Sequence, residues 1–524
     1  MAHVITQSCC SDAACVSVCP VNCIHPTPEE RGFGSSDILH IDPVACIDCG
    51  ACADACPVDA IYPADRLGER DSVFIEVNAA FYRDNPDISS GWSDIVYPVI
   101  PRLPDGLRVA VVGTGPAGGY AVRTLIGRTD ADVTVIDRLP TPGGLVRAGV
   151  APDHPGTKGV LRTFDMLYRD RRVHLLGGVE IGDGPSAVTP GELADHFDAV
   201  FYAVGAPDSR VLGVPGEDLP GSVAATDLVA WYNAYPGAQG PPIPEDGVGR
   251  AVIVGTGNVA LDVARILVSS PEALAATDIA DRALTLLERQ DIREVVLLGR
   301  RSPSDAAYTA AEFRALQELP GVDVIVADRP DGLGLHHPPE PDRRRIVLLF
   351  NSAVEGVVAG DRGHVGAVDV ATGDLAHEIT TDLVVRSIGY RGVRINGLPF
   401  DDARGVIPNS DGRVINETGD AIPGVYALGW AARGATGGIG ANKAHAITTV
   451  EAFIDDAAAG RLTRTAHAPD DFRRLAQRRS PDLVGYRGVR SIDRAERARG
   501  QAAGRPRIKF TEVSDMLAVA RRRR

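Results

Sequence analysis

All nine cysteines of this 524-residue chain fall within its first 56 residues. Four of them read Cys46-x-x-Cys49-x-x-Cys52-x-x-x-Cys56-Pro57, and Cys15-x-x-x-Cys19-Pro20 stands upstream. Thiolates at the first spacing wrap an iron–sulfur cluster and lend the last thiolate to a second one. Clusters pass single electrons, so the rest of the chain has to supply them. A disulfide framework needs an oxidising compartment, and Met1-Ala2-His3-Val4 begins no charged-then-apolar signal. Structural zinc favours pairs of C-x-x-C around a longer spacer, which this run does not match. The expectation is redox machinery working in the cytoplasm.

Two glycine loops could hold dinucleotides. Gly113-Thr114-Gly115-Pro116-Ala117-Gly118 permits a tight turn whose backbone N–H groups approach a pyrophosphate at a helix N-terminus. Asp137, 24 residues after Gly113, is placed to accept from a ribose hydroxyl. Gly255-Thr256-Gly257-Asn258-Val259-Ala260 is the second loop, with Ala260 in place of a third glycine. The strand after its helix ends Gly299-Arg300-Arg301 without an acid, and two guanidiniums suit a 2′-phosphate. NADP(H) is therefore expected there. A flavin is expected on the first loop, because it takes a hydride and can release electrons singly to clusters.

The elements that position these residues are read from periodicity. Leu107-Arg108-Val109-Ala110-Val111-Val112 and Ala131-Asp132-Val133-Thr134-Val135-Ile136-Asp137 read as buried parallel strands. Arg250-Ala251-Val252-Ile253-Val254 and Glu294-Val295-Val296-Leu297-Leu298 begin a second such unit. The loop-to-arginine distance is 43 residues, longer than the usual ~20, so a helical excursion at roughly 271 to 291 must fill it. Pro86, Pro98, Pro101 and Pro104 mark a linker over about 83 to 106. No run approaches 18 apolar residues, so membrane insertion is not expected, and neither is a nucleic-acid partner. Residues 1–100 hold fifteen acids against four arginines, and residues 461–524 hold eighteen Arg/Lys against seven acids. That asymmetry raises electrostatic docking of the head on the basic segment, or a solvated helical face. Only three lysines accompany 51 arginines.

The cysteine segment, about residues 1–75, resembles the seven-iron bacterial ferredoxins, which hold one [3Fe–4S] and one [4Fe–4S] cluster. That resemblance assigns Cys19, Cys46, Cys49 and Cys52 to the four-iron cluster and Cys15, Cys56 and either Cys9 or Cys10 to the three-iron one. Cys23 would be a free, buried thiol. The other possibility is a second [4Fe–4S] cluster. Residues 107–524 resemble the adrenodoxin-reductase type of ferredoxin–NADP⁺ reductase. They do so through Pro142-Gly143-Gly144-Leu145-Val146-Arg147, Val150-Ala151-Pro152-Asp153-His154-Pro155, and Gly429-Trp430 followed by Arg433-Gly434-x-Thr436-Gly437-Gly438-Ile439-Gly440-x-Asn442-Lys443. The whole chain resembles the actinobacterial fused ferredoxin/ferredoxin–NADP reductases.

The resemblance implies contacts to FAD from Gly113, Gly115, Ala117, Gly118, Asp137, Leu145, Ile181, Trp430, Gly437, Gly438 and Ile439. It implies contacts to NADP from Gly257, Asn258, Val259, Ala260, Arg300, Arg301, Glu312 and Gly437. His154, with Asp153, would sit near the flavin, in a proton path or as a structural loop histidine. The family often has Val at Gly438 and Glu at Asp137. The implied fold is multidomain: an α+β ferredoxin-like head over 1–82, a linker over 83–106, and an α/β two-dinucleotide flavoprotein of doubly wound sheets. In the latter, FAD-binding parts at 107–206 and 395–524 flank an NADP-binding insert at 207–394. The implied activity is transfer of a hydride from NADPH to FAD, then of single electrons through the clusters to a ferredoxin or other soluble acceptor. Two rivals share some features: the NADPH-oxidising subunit of a glutamate-synthase-like complex, and a redox-sensing binding protein. A disulfide reductase would need a cysteine pair beside the flavin, and none follows Cys56.

Overall fold

Short β-branched runs alternating with helices build two sheets, one mixed and one parallel, in the computed structural model. The structure describes residues 2–33, 36, 38–88, 90–91, 102–238, 240, 243–244, 247–335, 344–360 and 363–521. Much of the proline-rich linker lies outside them.

The first sheet has seven strands in the order Asn409–Ser410, Arg413–Ile415, Ala421–Ala427, Ala199–Tyr202, Arg108–Val112, Asp132–Asp137 and Val173–Gly177. Its interior strand Arg108–Val112 is buried from Val109 onward, as a continuous apolar run covered on both faces should be. Strand Ala421–Ala427 comes back from the C-terminal part to pair in parallel with Ala199–Tyr202. The second sheet is parallel throughout, ordered Ser222–Ala224, Leu383–Arg386, Arg250–Val254, Glu294–Leu298, Arg344–Leu349 and Val322–Ala327. The stretch at 271 to 291 holds helices Pro271–Ala275 and Asp281–Leu287. The chain crosses between the two sheet domains twice, and the crossings pair as antiparallel Asp208–Ser209 and Tyr390–Arg391.

The head is small and joined by polar stitching. His3–Ile5 pairs with Ile61–Pro63, Ile24–His25 pairs with His40–Ile41, and helix Val73–Asp84 lies across both. Buried Asn78 on that helix accepts from the backbone N–H of Ile5 (3.2 Å) and Ile41 (2.9 Å) and donates to Ile5 O (2.9 Å). One side chain thereby satisfies groups from two separate strand pairs.

The head is seated on the first sheet domain. Cys10, Val58 and Ala60 join the same apolar cluster as Val109, Tyr120 and Phe164. Asp59 pairs with Arg162 at 2.6 Å. Docking of the head on the basic C-terminal segment is not what the described contacts show. Several of its arginines pair with acids of the nucleotide domains and of the segment itself: Arg464 to Asp198 (3.2 Å), Arg479 to Glu192 (2.7 Å), Arg490 to Asp165 (3.2 Å) and Arg507 to Glu496 (2.9 Å). The three lysines all stand at junctions. Lys158 (2.6 Å) and Lys509 (3.0 Å) share Asp278 of the second sheet domain, and Lys443 lies 3.9 Å from Asp12 of the head.

Candidate active site

The first glycine loop is a cradle with an open floor. A Cβ on Gly113 (φ +103°) would overlap the Ala203 carbonyl, and one on Gly118 would overlap the Gly113 carbonyl, whereas one on Gly115 would meet nothing within 4 Å. Gly144 (φ +48°) closes the cradle from the far side, its Cβ position 2.9 Å from Gly115 Cα. Helix Pro116–Arg128 starts there with Ala117 buried, and Leu145 stands 37% exposed beside it. Bare backbone at a helix N-terminus with room above it fits a pyrophosphate. Asp137 braces this loop. Its carboxylate accepts from the N–H and hydroxyl of Thr114 and from Leu139 N (2.9 Å), while Thr114 Oγ1 accepts from Gly143 N (3.0 Å). Burial holds its pKa above the ordinary value. Ile181 bridges to Val188 and packs on the apolar cluster containing Val179 and Ala431.

The second loop borders a cleft of about 1350 Å³. Gly255 (φ +122°) is pressed against the Ser387 carbonyl, Gly257 faces open space, and the methyl of Ala260 is fully buried. Val259 and Asn258 line the cleft, and Asn258 Oδ1 accepts from Thr309 N at 3.0 Å. Arg300 and Arg301 are exposed on its wall. Tyr390, Trp430, Gly437 and Gly438 line it too. The Trp430 ring lies 5.2 Å from that of Tyr390, and its Nε1 donates to the carbonyls of Thr436 and Gly437 at 3.1 Å. Gly438 has nothing within 4 Å of its Cβ position, so the valine common in the resembled family would fit. Ile439 opens helix Ile439–Ala458. Arg210, Arg386 and Tyr390 also line the cleft and were not foreseen, because they flank the domain crossings outside any strand–loop–helix pattern.

Glu312 accepts from Gln7 of the head at 3.1 Å and lies 3.7 Å from Arg265. Asp153 is held by the same arginine, through Nε (2.6 Å) and Nη2 (3.1 Å), and Arg265 also reaches Asp262 at 2.5 Å. Asp153 is thus an interdomain brace. His154, Asp262 and Glu312 bring ligand atoms within 4.8 Å of one another, but the buried guanidinium beside them already supplies the positive charge. Burial and Arg265 both lower the pKa of His154.

The cysteines form two sets. Cys19, Cys46, Cys49 and Cys52 line one small cavity with Cys23 and Ile47, and Cys49 is exposed. Cys23 Sγ lies 3.5 Å from Cys19 Sγ, and hydrogen bonding from Cys23 holds the thiols of Cys19 and Cys46 below the ordinary thiol range. Cys9, Cys10, Cys15 and Cys56 are electrostatic neighbours of one another. Backbone N–H groups already point at two of their sulfurs, Ser11 N at Cys9 and Ala60 N at Cys56, both 3.3 Å. Such donors favour thiolate ligands. Cys10 is buried in the apolar cluster shared with the reductase part.

The 4Fe-4S dicluster domain family matches residues 8–60, and the pyridine nucleotide-disulphide oxidoreductase family matches residues 107–326. A Mycobacterium tuberculosis protein named "Probable ferredoxin/ferredoxin--NADP reductase" is 45% identical over 99% of this chain and 95% of its own length. Its Mycobacterium leprae counterpart is 44% identical over 99% and 98%. The chain belongs to the fused ferredoxin/ferredoxin–NADP reductases.

The reductase part of this fused reductase is also similar to a protein without a head. The solved structure titled "Mycobacterium tuberculosis FprA in complex with NADPH" is 37% identical, covers 79% of this chain and 99% of its own, and has a TM-score of 0.72. The fused reductase matches the pyridine nucleotide-disulphide oxidoreductase family, and its reductase part has no cysteine after Cys56. Among the described residues no helix is long and apolar enough to cross a membrane.

Proposed function

We propose that this chain oxidises NADPH on the Gly257–Arg300–Arg301 cleft, holds FAD on the Gly115 cradle, and sends electrons out through two clusters in its own head. The observation that carries this reading is the order of the cysteine sets. The Cys9/Cys15/Cys56 side abuts the nucleotide domains, with Ser11 on Gly440 and Cys10 in their core, whereas Cys49 is at the surface. Bound FAD supplies the conversion of a hydride pair into single electrons, and the clusters supply the relay. The chain's residues hold and orient these groups. Cys19, Cys46, Cys49 and Cys52 hold the outer, four-iron cluster. Cys9, Cys15 and Cys56 hold the inner, three-iron one, with Cys10 a packing residue. Trp430, Gly437, Gly438 and Ile439 close over the flavin, and Arg300 and Arg301 select the 2′-phosphate. Reducing thiol chemistry fits work in the cytoplasm.

The acceptor docks over the outer set. Val44 is 92% and Ile47 52% exposed there. Residues 32–65 contain six aspartates and neither lysine nor arginine. An apolar contact inside an acidic rim suits a soluble one-electron carrier with a basic rim. The test is anaerobic reduction by NADPH, with cytochrome c as a basic acceptor and ferricyanide as a small one. Iron-depleted protein should keep ferricyanide reduction and lose cytochrome c reduction. Equal cytochrome c rates with and without clusters would show that electrons leave directly from the flavin.

A further inference from the structure

The coenzyme cleft is not closed by the two nucleotide domains alone. Ser36, His40, Ala80, Phe81 and Asp84 of the head also line it. His40 and Phe81 stack with centroids 4.2 Å apart and planes 3° from parallel, which gives the cleft a flat aromatic side. Burial keeps His40 neutral, with its pKa lowered to about 4, so this side adds no cation.

Two of the head's contacts lie beside this cleft. Gln7 Nε2 donates to Glu312 Oε2 at 3.1 Å, on helix Ala310–Gln317, whose Thr309 cap and Ala310 border the cleft. Ser11 packs its carbonyl on Gly440, and its hydroxyl donates to Ser36 O at 3.3 Å, which brings Ser36 beside the 437–438 edge. Tyr82, next to Phe81, donates to the carbonyls of His40 (2.8 Å) and Cys23 (2.9 Å), so the same helix also touches the outer cysteine set.

We propose that the head is a wall of the NADPH cleft, with the His40–Phe81 stack packing on bound coenzyme and the Gln7–Glu312 bond holding the stack in place. The head then sets coenzyme affinity as well as carrying electrons away. This rests on the NADPH reading of the cleft. A flat aromatic face against a nucleotide contributes beyond its buried area, so removing it weakens coenzyme binding without touching the reacting atoms.

The test uses full-length protein carrying Phe81→Ser, Phe81→Tyr or Gln7→Leu. NADP⁺ binding is measured by calorimetry, and NADPH kinetics with ferricyanide as acceptor. Phe81→Ser should raise both the Kd for NADP⁺ and the KM for NADPH about five- to tenfold at unchanged kcat. Phe81→Tyr should restore them, and Gln7→Leu should raise them about two- to threefold. Iron content equal to wild type shows that the head is folded. Wild-type affinity in iron-replete Phe81→Ser would overturn the proposal. Should Phe81→Ser lose its iron, unchanged affinity in Gln7→Leu would overturn it. A wild-type chain that binds no NADP⁺ would remove the coenzyme reading itself, a separate failure.

Discussion

Ser11 of the head and Gly440 of helix Ile439–Ala458 meet backbone to backbone: a methyl on Gly440 would overlap the Ser11 carbonyl. Gly440 is the second residue of the helix and its φ is not positive, so the backbone conformation itself does not call for glycine. With the head in place, no side chain larger than hydrogen fits at this position.

Gly440→Ala should leave thermal stability of the nucleotide domains unchanged or raised while displacing the head. Stopped-flow absorbance should show cluster reduction by NADPH slowed at least about tenfold, with ferricyanide turnover within about twofold of wild type. Cluster reduction at the wild-type rate would mean that electrons cross elsewhere.

The cleft arginines should decide coenzyme choice. Replacing Arg300 and Arg301 together with glutamine removes two charge-assisted contacts, each about 1.5–3 kcal/mol. The KM for NADPH should rise about a hundredfold or more and that for NADH hardly move. An equal rise for both coenzymes would make the pair structural.

Cys9 and Cys10 should separate cleanly. In air-oxidised protein, the low-temperature EPR signal of a three-iron cluster should survive Cys10→Ser and vanish in Cys9→Ser. The reverse pattern would exchange their roles. About eight irons per chain with no such signal would establish two four-iron clusters and leave the reductase assignment intact.

Stability should respond to acid through His445. Its Nδ1 accepts from Gly429 N at 2.9 Å, and burial, then Arg433, lowers its pKa from 6.5 to about 4. Between these values the unfolded chain binds a proton that the folded chain does not. Stability therefore falls as pH drops from about 6.5 to about 4, by about 1.4 kcal/mol per pH unit for this group, and levels off below. His445→Asn keeps an acceptor for Gly429, and urea midpoints should show a shallower acid slope. An unaltered slope would assign the effect to other groups.

Much of this fold was legible because its signals are local. Strands Arg250–Val254 and Glu294–Leu298 follow from β-branched runs, and the excursion at 271 to 291 follows from a distance that had to be filled. The spacing points to cluster-binding cysteines, and their division into two sets is what the resemblance to the seven-iron ferredoxins implies. The seating of the head was not legible, because it is carried by absent side chains at Gly156 and Gly440, against Ser8 and Ser11. A charge count over 461–524 suggested a docking surface, yet counting cannot say which acids pair with which arginines. Glu312 is placed at the coenzyme by the family resemblance alone, which says nothing of its contact with the head. Its partner Gln7 lies 305 residues away, beyond any pattern along the chain.

The placement of the three lysines has a practical consequence. Lys158, Lys443 and Lys509 are all tucked into domain junctions, with side chains 10%, 20% and 2% exposed. With no other lysine in the chain, the folded surface offers amine reagents little beyond the terminal amino group. An acylating label applied at neutral pH should thus react slowly with the intact molecule. Mass spectrometry of the adducts then becomes a clock for domain separation, with Lys443 timing the release of the head and Lys158 and Lys509 timing the parting of the two nucleotide domains.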